Sequence, residues 1–469
     1  MDQTQKILNI VGGGLAGVAA AQAARNNGYQ VNLFERSGVL GGRMASLFEP
    51  KQKQWIDIGQ HIFLGCCTEI LTLHKRLALD HFFDTYDTLP FATQKQQQWT
   101  LQTAKKPLFC LPKKIQLLPS LLTMPALTLR ERLKTGILLN KLNVAQLPDI
   151  SAAQWLLQHH VPQNAQEAFW KPLIFSALSE LPEYAAIKAL QTIVRKAFLA
   201  GQDAMTVYLP KVPLRTIYHD AVSRQLAQQG VELHFYKRLR RLHWTPSDNN
   251  AEITITALEF SDGTMQQSGR YILAMPAFQI WPVLEASGLP CRAEHLGLGR
   301  LEPGAISTVH LWLNRPVLKT GIRHCILSGG IGQFLCKPLA DTTAENPADD
   351  AADTPQHYNK HYYTVVISAA HRLLSDSEIA VSGSADLASR VLEQLRTSFG
   401  IPDLRMEHCR TTTCFEAVFS PKPDVYGQRS EAMGLFSNGA IAGDWTQTGL
   451  PSTMEGAVRS GLKAVEGLG

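Results

Sequence analysis

One stretch near the start, "ILNIVGGGLAGVAAAQAARNNGYQVNLFER" (residues 7–36), constrains the fold of this chain more than any other. Ile7–Val11 reads as a short buried strand and Leu15–Arg25, rich in alanine, as a helix. Asn26–Gly28 stops the helix, and Tyr29–Phe34 forms a second strand that ends on Glu35. Gly12, Gly14 and Gly17 make a G-x-G-x-x-G spacing between strand and helix. Gly12 permits the tight turn, Gly14 lets backbone approach a pyrophosphate, and Gly17 lets the helix pack on the sheet. The helix start presents free amides and the positive end of its dipole to phosphate. Glu35 is placed to accept from a ribose hydroxyl. Glycine spacing, strand, helix and acid together predict a dinucleotide site.

The next residues narrow the dinucleotide. In "RSGVLGGRMAS" (36–46) a second pair, Gly41–Gly42, again allows close backbone approach. Arg43 offers a planar fork to phosphate. A site for NAD rarely needs this second pair. FAD proteins of the glutathione-reductase-like class carry it, so FAD is the expected cofactor.

The far end makes sense in the same terms. "AGDWTQTGLPSTMEGAVRSG" (442–461) follows a strand ending near Gly443, with an acid, Asp444, and a helix opening at Ser452–Thr453. In the FAD class a late strand ends in Gly-Asp, whose aspartate binds the ribityl chain, and the next helix points its start at the flavin ring. Gly443, Asp444, Thr453 and Met454 resemble that pattern. A helix start also stabilises negative charge on a reduced flavin.

Motifs at both ends imply a discontinuous cofactor domain. The expectation is an α/β fold: a glutathione-reductase-like, FAD-binding Rossmann domain from residues 1–86, 205–276 and 431–469, with an inserted mixed α+β substrate domain from 87–204 and 277–430. "QQGVELHFYKRLRRLHW" (228–244) supplies strands to the first part, and "RYILAMPAF" (270–278) a strand closing on Pro276. Phe91–Gly201 reads as mostly helical, Ala305–Leu313 and Tyr362–Ser368 as strands, and Ala385–Phe399 as a helix. Acidic, Pro- and Ala-rich 340–356 reads as a solvated loop.

Bulk properties exclude some classes. A chain of 469 residues with formal net charge +5 has the composition of an ordinary globular protein. No basic stripe is interleaved with aromatics, so nucleic acid is not an expected partner. The eight cysteines include no Cys-x-x-Cys and no metal spacing, so no metal is expected and a reducing, cytoplasmic compartment is. Ile7–Ala24 lacks a cleavage end and is not read as a signal peptide. No uncharged run reaches the ~20 residues of a membrane span. The uncharged stretch Ile115–Leu129 is broken by Pro119 and Pro125 and flanked by Lys113, Lys114, Arg130, Arg132 and Lys134. Residues 113–134 therefore read either as a peripheral contact with anionic lipid or as a buried lid helix.

Over most of its length the chain resembles the hydroxysqualene dehydroxylases, flavoproteins of the amine-oxidase and carotenoid-desaturase superfamily. The resemblance rests on "DIGQHIFLG" (57–65), "FWKPLIFSALSELPEYAA" (169–186), "ISTVHLWLNRPV" (306–317) and the C-terminal motif. Family members often carry Asn-Gly-Gln-His and Leu-Asn-Thr where this chain has Ile58-Gly59-Gln60-His61 and Leu178-Ser179-Glu180. The resemblance implies reductive loss of an allylic hydroxyl from a C30 polyprenyl alcohol, giving squalene, with an electron donor that the sequence does not name. It places Gly59, Gln60 and His61 beside the flavin ring. His61 then reads either as the acid that protonates the departing oxygen or as part of the cofactor wall. Trp170 and Trp445 read as a cation-stabilising face or as core. The expected cofactor contacts are Gly12, Gly14, Leu15, Ala16, Gly17, Glu35, Arg36, Gly42, Arg43, Gly59, Gln60, His61, Leu239, Gly443, Asp444, Thr453 and Met454. The rival readings are an oxidative enzyme, either a carotenoid-type desaturase or an amine oxidase, and a non-catalytic flavin-bound scaffold for prenyl lipids.

Overall fold

A computed structural model describes residues 6–102, 117–144, 146–201, 203–246, 253–289, 297–339, 361–375, 378 and 385–468. Its first sheet has five parallel strands in the order Val231–His234, Gln30–Phe34, Ile7–Val11, Arg270–Leu273, Gly439–Ile441. Ile10 lies between Leu33 and Ile272, and Ile272 in turn neighbours Ala440. These positions are fully or almost fully buried, as expected when a parallel sheet is covered on both faces. The alanine-rich helix Leu15–Asn26 makes the crossover between the first two strands.

The chain's two ends meet on this sheet. The last strand joins it at one edge, and the terminal helix Met454–Leu468 packs on the first helix. The contact is made of very small side chains: Ala16, Ala19 and Ala20 face Ala457, Gly461 and Ala464, all buried. A Cβ at Gly461 would lie 2.1 Å from the Ala16 carbonyl oxygen. Glycine is therefore required there by helix proximity.

A second sheet has seven strands, in the order Met406–Phe419, Pro303–Leu313, Tyr362–Ile367, Phe334–Cys336, His324–Ser328, Leu89–Thr93, Gln98–Leu101. Helix Ala385–Phe399 covers one face with Leu387, Val391, Leu392 and Leu395. The other side meets a helical layer whose core gathers Trp155, Phe169 and Trp170. Between the two sheets lie a hairpin, Ser46–Glu49 with Gln54–Asp57, and a small sheet in which Val207–Pro210 pairs with Phe63–Leu64 and Phe83–Tyr86.

Two expectations change. The region 91–201 is not helical from its start, because Leu89–Thr93 and Gln98–Leu101 form a hairpin on the large sheet. Gln96 takes the positive-φ turn position (φ 58), where no glycine or asparagine marks the turn in the sequence. The apolar segment 113–134 divides as well. Residues 113–116 lie outside the described part, as does the acidic loop 340–356. Leu117, Leu121, Met124 and Leu127 are buried in the helical layer's core. Helix Leu129–Val144 then turns a face outward. Among the described residues no helix is long and apolar enough to cross a membrane.

The helix contact makes a clear expectation. Gly461→Ala should lower the unfolding free energy by about 1–3 kcal/mol, the usual cost of overpacking. Gly427→Ala, with nothing within 4 Å of the added carbon, should leave thermal unfolding nearly unchanged.

Candidate active site

The loop after the first strand is shaped around a gap. Gly12 sits at φ +111, and a Cβ there would strike the Ala274 carbonyl oxygen at 2.1 Å. A Cβ on Gly17 would lie 1.8 Å from the Gly12 carbonyl oxygen, so helix and strand are in backbone contact. At Gly14 a Cβ would meet nothing within 4 Å. The glycine that does not need to be glycine for packing is the one that opens onto free space. Gly14 is also the N-cap of the helix, and no side chain caps it. The first-turn amides point into that gap, which suits an anion.

Two neighbours complete the cradle. Glu35 is buried, and its carboxylate accepts from the Gly13 amide (2.8 Å) and from the Ser37 amide and hydroxyl (2.9 Å each). The second glycine pair lies directly behind Gly14. The Gly41 amide donates to the Gly13 carbonyl (2.9 Å), and a Cβ on Gly42 would stand 3.2 Å from the Gly14 Cα.

Arg43 and Asp444 join the two ends of the chain chemically. The guanidinium donates to both Asp444 carboxylate oxygens (3.1 and 2.5 Å) and to the Ala417 carbonyl (2.7 Å). The Ser452 hydroxyl also donates to Asp444. Burial alone would raise the Asp444 carboxyl, but the Arg43 charge and these hydrogen bonds hold it below the usual range. Arg429 donates to the Asp444 carbonyl (3.2 Å) and lies over the Phe419 ring. Beyond Asp444, the terminal helix starts with Thr453, whose hydroxyl accepts from the Gly456 amide (3.1 Å). Glu455 turns away and caps the helix Thr68–Arg76 through the Glu69 and Ile70 amides (3.1 and 3.0 Å).

Asp57 to Ile62 form a half-buried run, and two of its residues, Asp57 and Gln60, line a cleft. The cleft is also lined by Pro210, Lys211, Tyr362 and Thr364, among others. One oxygen of Asp57 accepts from the Ser46 hydroxyl (2.6 Å) and the Leu214 amide (2.9 Å). Burial outweighs these bonds and pushes the carboxyl up to about 6. His61 Nδ1 lies 2.7 Å from the Gly59 carbonyl, so Nδ1 carries the proton. Burial, aided by the Arg43 charge, pulls the imidazole down to about 4. At neutral pH His61 is therefore uncharged, with Nε2 an acceptor. Thr364 donates to Gln60 Oε1 (3.3 Å).

A buried chain stands behind the cleft. The Thr412 hydroxyl donates to the Ile58 carbonyl (2.6 Å), so its oxygen accepts from His310 Nε2 (3.1 Å). His310 Nδ1 then accepts from the Tyr362 hydroxyl (2.8 Å). Burial pulls His310 down to about 3 and fixes it in this neutral tautomer.

Comparison with known proteins decides the family. A sequence model of the flavin-containing amine oxidoreductases matches residues 15–468. The chain belongs to that family. It is 24% identical to hydroxysqualene dehydroxylase of Zymomonas mobilis, over 98% of each chain. It is 21% identical to a probable zeta-carotene desaturase of Synechococcus elongatus, also over 98% of each. Putrescine oxidase bound to putrescine superposes with TM-score 0.68 at 14% identity, over 99% of both chains. An oxidoreductase of Methanosarcina mazei superposes equally well at 15% identity, over 98% of this chain and all of the other. This member of the amine oxidoreductase family is an FAD-dependent oxidoreductase, and its sheets have the expected Rossmann-type arrangement.

Most residues singled out in the oxidoreductase's sequence surround one region. Gly12, Gly14, Leu15, Ala16 and Gly17 form the strand–helix turn, with Glu35 and Gly42 against it. Arg43 reaches from there to Asp444 beside Gly443 and also bears on His61, whose ring is bonded to Gly59, while Gln60 lines the cleft. Arg36 is exposed. Leu239 is buried against Phe260, two residues beyond Lys237, whose amide donates to the Glu35 carbonyl (2.8 Å). Thr453 and Met454 are half-buried at the helix start. Trp170 and Trp445 are core residues, and Trp445 donates to the Met275 carbonyl (2.9 Å). The departure at Glu180 has its own compensation: the carboxylate is wholly buried, accepts from Ser420, and pairs with His371 and Arg372 (3.5 Å each). Sequence reasoning missed Asp57, Tyr362, His310 and Arg429. Asp57 opens the motif "DIGQHIFLG" but carries no local mark of its raised pKa.

The geometry separates two glycine-loop effects. Gly14→Val should leave the thermal stability of the flavin-free protein nearly unchanged, because a Cβ there has no protein atom within 4 Å, yet sharply lower FAD content by absorbance. Asp444→Ala should lower both. Removing one partner of a buried ion pair costs about 3 kcal/mol here, the low end of the range, because Arg43 keeps partial solvent access.

Proposed function

We propose that this enzyme removes an allylic hydroxyl from a C30 polyprenyl alcohol and releases squalene. The observation that carries this reading is a protonatable carboxyl, Asp57, in the wall of the cleft. Replacing an allylic C–O bond by C–H consumes a hydride and a proton and yields water. An oxidative reaction in the same fold would release protons instead. A carboxyl raised to about 6 keeps a proton near neutral pH far better than an ordinary aspartate. Full-length similarity to hydroxysqualene dehydroxylases of Zymomonas mobilis and Sinorhizobium fredii supports the substrate class.

Residues 1–86, 205–276 and 431–469 form the cofactor part in this reading, and 87–204 with 277–430 the substrate part. The first-turn amides beside Gly14 hold the pyrophosphate, and Glu35 holds a ribose. Asp444, positioned by Arg43, binds the ribityl hydroxyls. Gly59, Gln60 and His61 flank the ring. FAD, once reduced, supplies the hydride. Asp57 donates the proton to the departing oxygen through its oxygen not engaged by Ser46 and Leu214. His61, uncharged with Nε2 open, accepts from the alcohol hydroxyl and orients it, so the acid role moves from His61 to Asp57. The apolar part of the lining, Trp55, Ile56, Val212 and Leu339, keeps water from the allylic cation.

The test is anaerobic. Photoreduced enzyme mixed with hydroxysqualene should reoxidise its flavin and form squalene, detected by gas chromatography. The rate should be highest below pH about 6 and fall as pH rises through it, because the protonated Asp57 is the active form. Asp57→Asn keeps the acceptor for Ser46 and Leu214 but has no acidic proton. It should bind FAD normally, slow reoxidation by about 10²–10⁴-fold, and lose that pH limb. Stability offers a second readout. Folded Asp57 binds its proton more tightly than the unfolded chain does, so wild-type stability falls relative to Asp57→Asn as pH rises from about 4 to about 6. If reduced enzyme stays reduced with the alcohol while oxidised enzyme bleaches with a carotenoid precursor or an amine, electrons flow the other way and the dehydroxylase reading fails.

A further inference from the structure

Large apolar side chains exposed one at a time are ordinary on a protein surface. Four in this protein are not isolated. Leu129 (62% exposed), Leu133 (47%) and Ile137 (68%) lie four residues apart on helix Leu129–Val144. At 100° per residue they fall within about 80° of one another, on the side opposite buried Leu138 and Leu142. Leu157 (73%) ends the neighbouring helix Ala152–Gln158. The two helices are tied at this place. Lys134 donates to the His160 carbonyl (2.6 Å), and Lys141 lies 2.7 Å from His159 Nε2.

The charges beside the stripe have one sign. Arg130, Lys134 and Lys141 follow one another along a single flank, at about 100–140° on the same wheel. The helix's one acid, Glu131, falls at about 200°, opposite the apolar stripe. There it accepts from the Thr128 amide and hydroxyl (2.8 and 2.9 Å) and from Asn164 (3.2 Å). At the helix's far end Arg195 donates to the Asn143 carbonyl (2.8 Å), adding a fourth cation near the edge.

We propose that this stripe, Leu129, Leu133, Ile137 and Leu157 with the flank Arg130, Lys134 and Lys141, docks the enzyme on an anionic lipid surface. Aliphatic side chains on one helical face, bordered by cations and free of acids, match the interface of a bilayer, where the apolar face sinks to the acyl boundary and the cations meet head groups. A second copy of the chain is a poorer occupant. Four side chains offer well under the roughly 800 Å² per partner of a stable protein interface, and two identical basic flanks would repel. The docking helix is continuous with the buried half of the segment: Arg132 donates to the Leu127 and Leu122 carbonyls (2.8 and 2.5 Å), tying the surface helix to buried Leu121 and Leu127. The contact does not depend on which substrate the enzyme uses, and its test reads binding rather than turnover.

The experiment uses the FAD-loaded full chain and sedimentation with phosphatidylcholine vesicles, with or without one third phosphatidylglycerol. Wild type should sediment with the anionic vesicles at low salt and be released as salt screens the basic flank. Leu133→Asp with Ile137→Asp should weaken binding by about 100-fold, a factor of ten for each buried aliphatic side chain. Arg130→Gln, Lys134→Gln and Lys141→Gln together should abolish the preference for anionic vesicles, about fivefold for each charge. Flavin absorbance and light scattering on every variant report folding and oligomeric state. Wild type that stays in the supernatant overturns the proposal, as does an aspartate variant that sediments like wild type. An aspartate variant that turns a dimer into a monomer assigns the stripe to self-association and overturns it equally.

Discussion

Asp444 is buried and still charged, and the rest of the site depends on how that is achieved. Its counter-ion, Arg43, lies 401 residues earlier in the chain. An isolated carboxylate at this depth would be costly, so the C-terminal strand is stable in place only when the second glycine loop is already beside it. The ion pair thus couples three separate pieces: the Gly41–Gly42 turn, the Ala417 region of the long edge strand, and the end of the last parallel strand. The same union is reinforced apolarly by Gly461 against Ala16. Charge and close backbone packing bring the two ends of the chain to one cofactor region.

Around the cleft, burial sets proton positions that residue type alone would not. His61 and Asp57 are four residues apart in one motif, yet burial moves them in opposite senses. The imidazole falls to about 4 and the carboxyl rises to about 6. Each shift disfavours the charged form. The result is a neutral acceptor at His61 and, below pH about 6, a neutral donor at Asp57, a pair that suits chemistry on an alcohol. Behind the cleft wall, Tyr362, His310 and Thr412 form a neutral chain ending on the Ile58 carbonyl, the backbone of the same motif. That chain fixes the wall to the large sheet without introducing a charge.

Much of the strand–turn–helix around Gly12, Gly14 and Gly17 was legible from local sequence because its requirements are backbone requirements. Gly12 needs a positive φ, Gly14 needs open space, Gly17 needs contact, and a strand must precede and a helix follow. The terminal strand and helix were legible for the same reason, as were the strand Pro303–Leu313 and helix Ala385–Phe399, whose apolar periods are long and regular. The hairpin Leu89–Leu101 was not, because Gln96 turns it without a turn residue.

What remained for the tertiary structure was everything set by distant neighbours. Glu35 reads in sequence as a ribose acceptor, but the fold also commits both its oxygens to the Gly13 and Ser37 groups that shape the loop. Asp57 acquires its raised pKa from burial, which outweighs the opposing hydrogen bond from the Leu214 amide, 157 residues away. The apolar residues from Leu117 to Ile137 look alike as composition. Packing buries Leu121, Met124 and Leu127 and leaves Leu129, Leu133 and Ile137 in solvent. The sequence by itself determined where the backbone must turn, approach and stop, because those demands act within a few residues. Which side chains are dry, charged or exposed was decided only in three dimensions, because solvent access and electrostatic neighbours come from parts of the chain that local pattern does not contain.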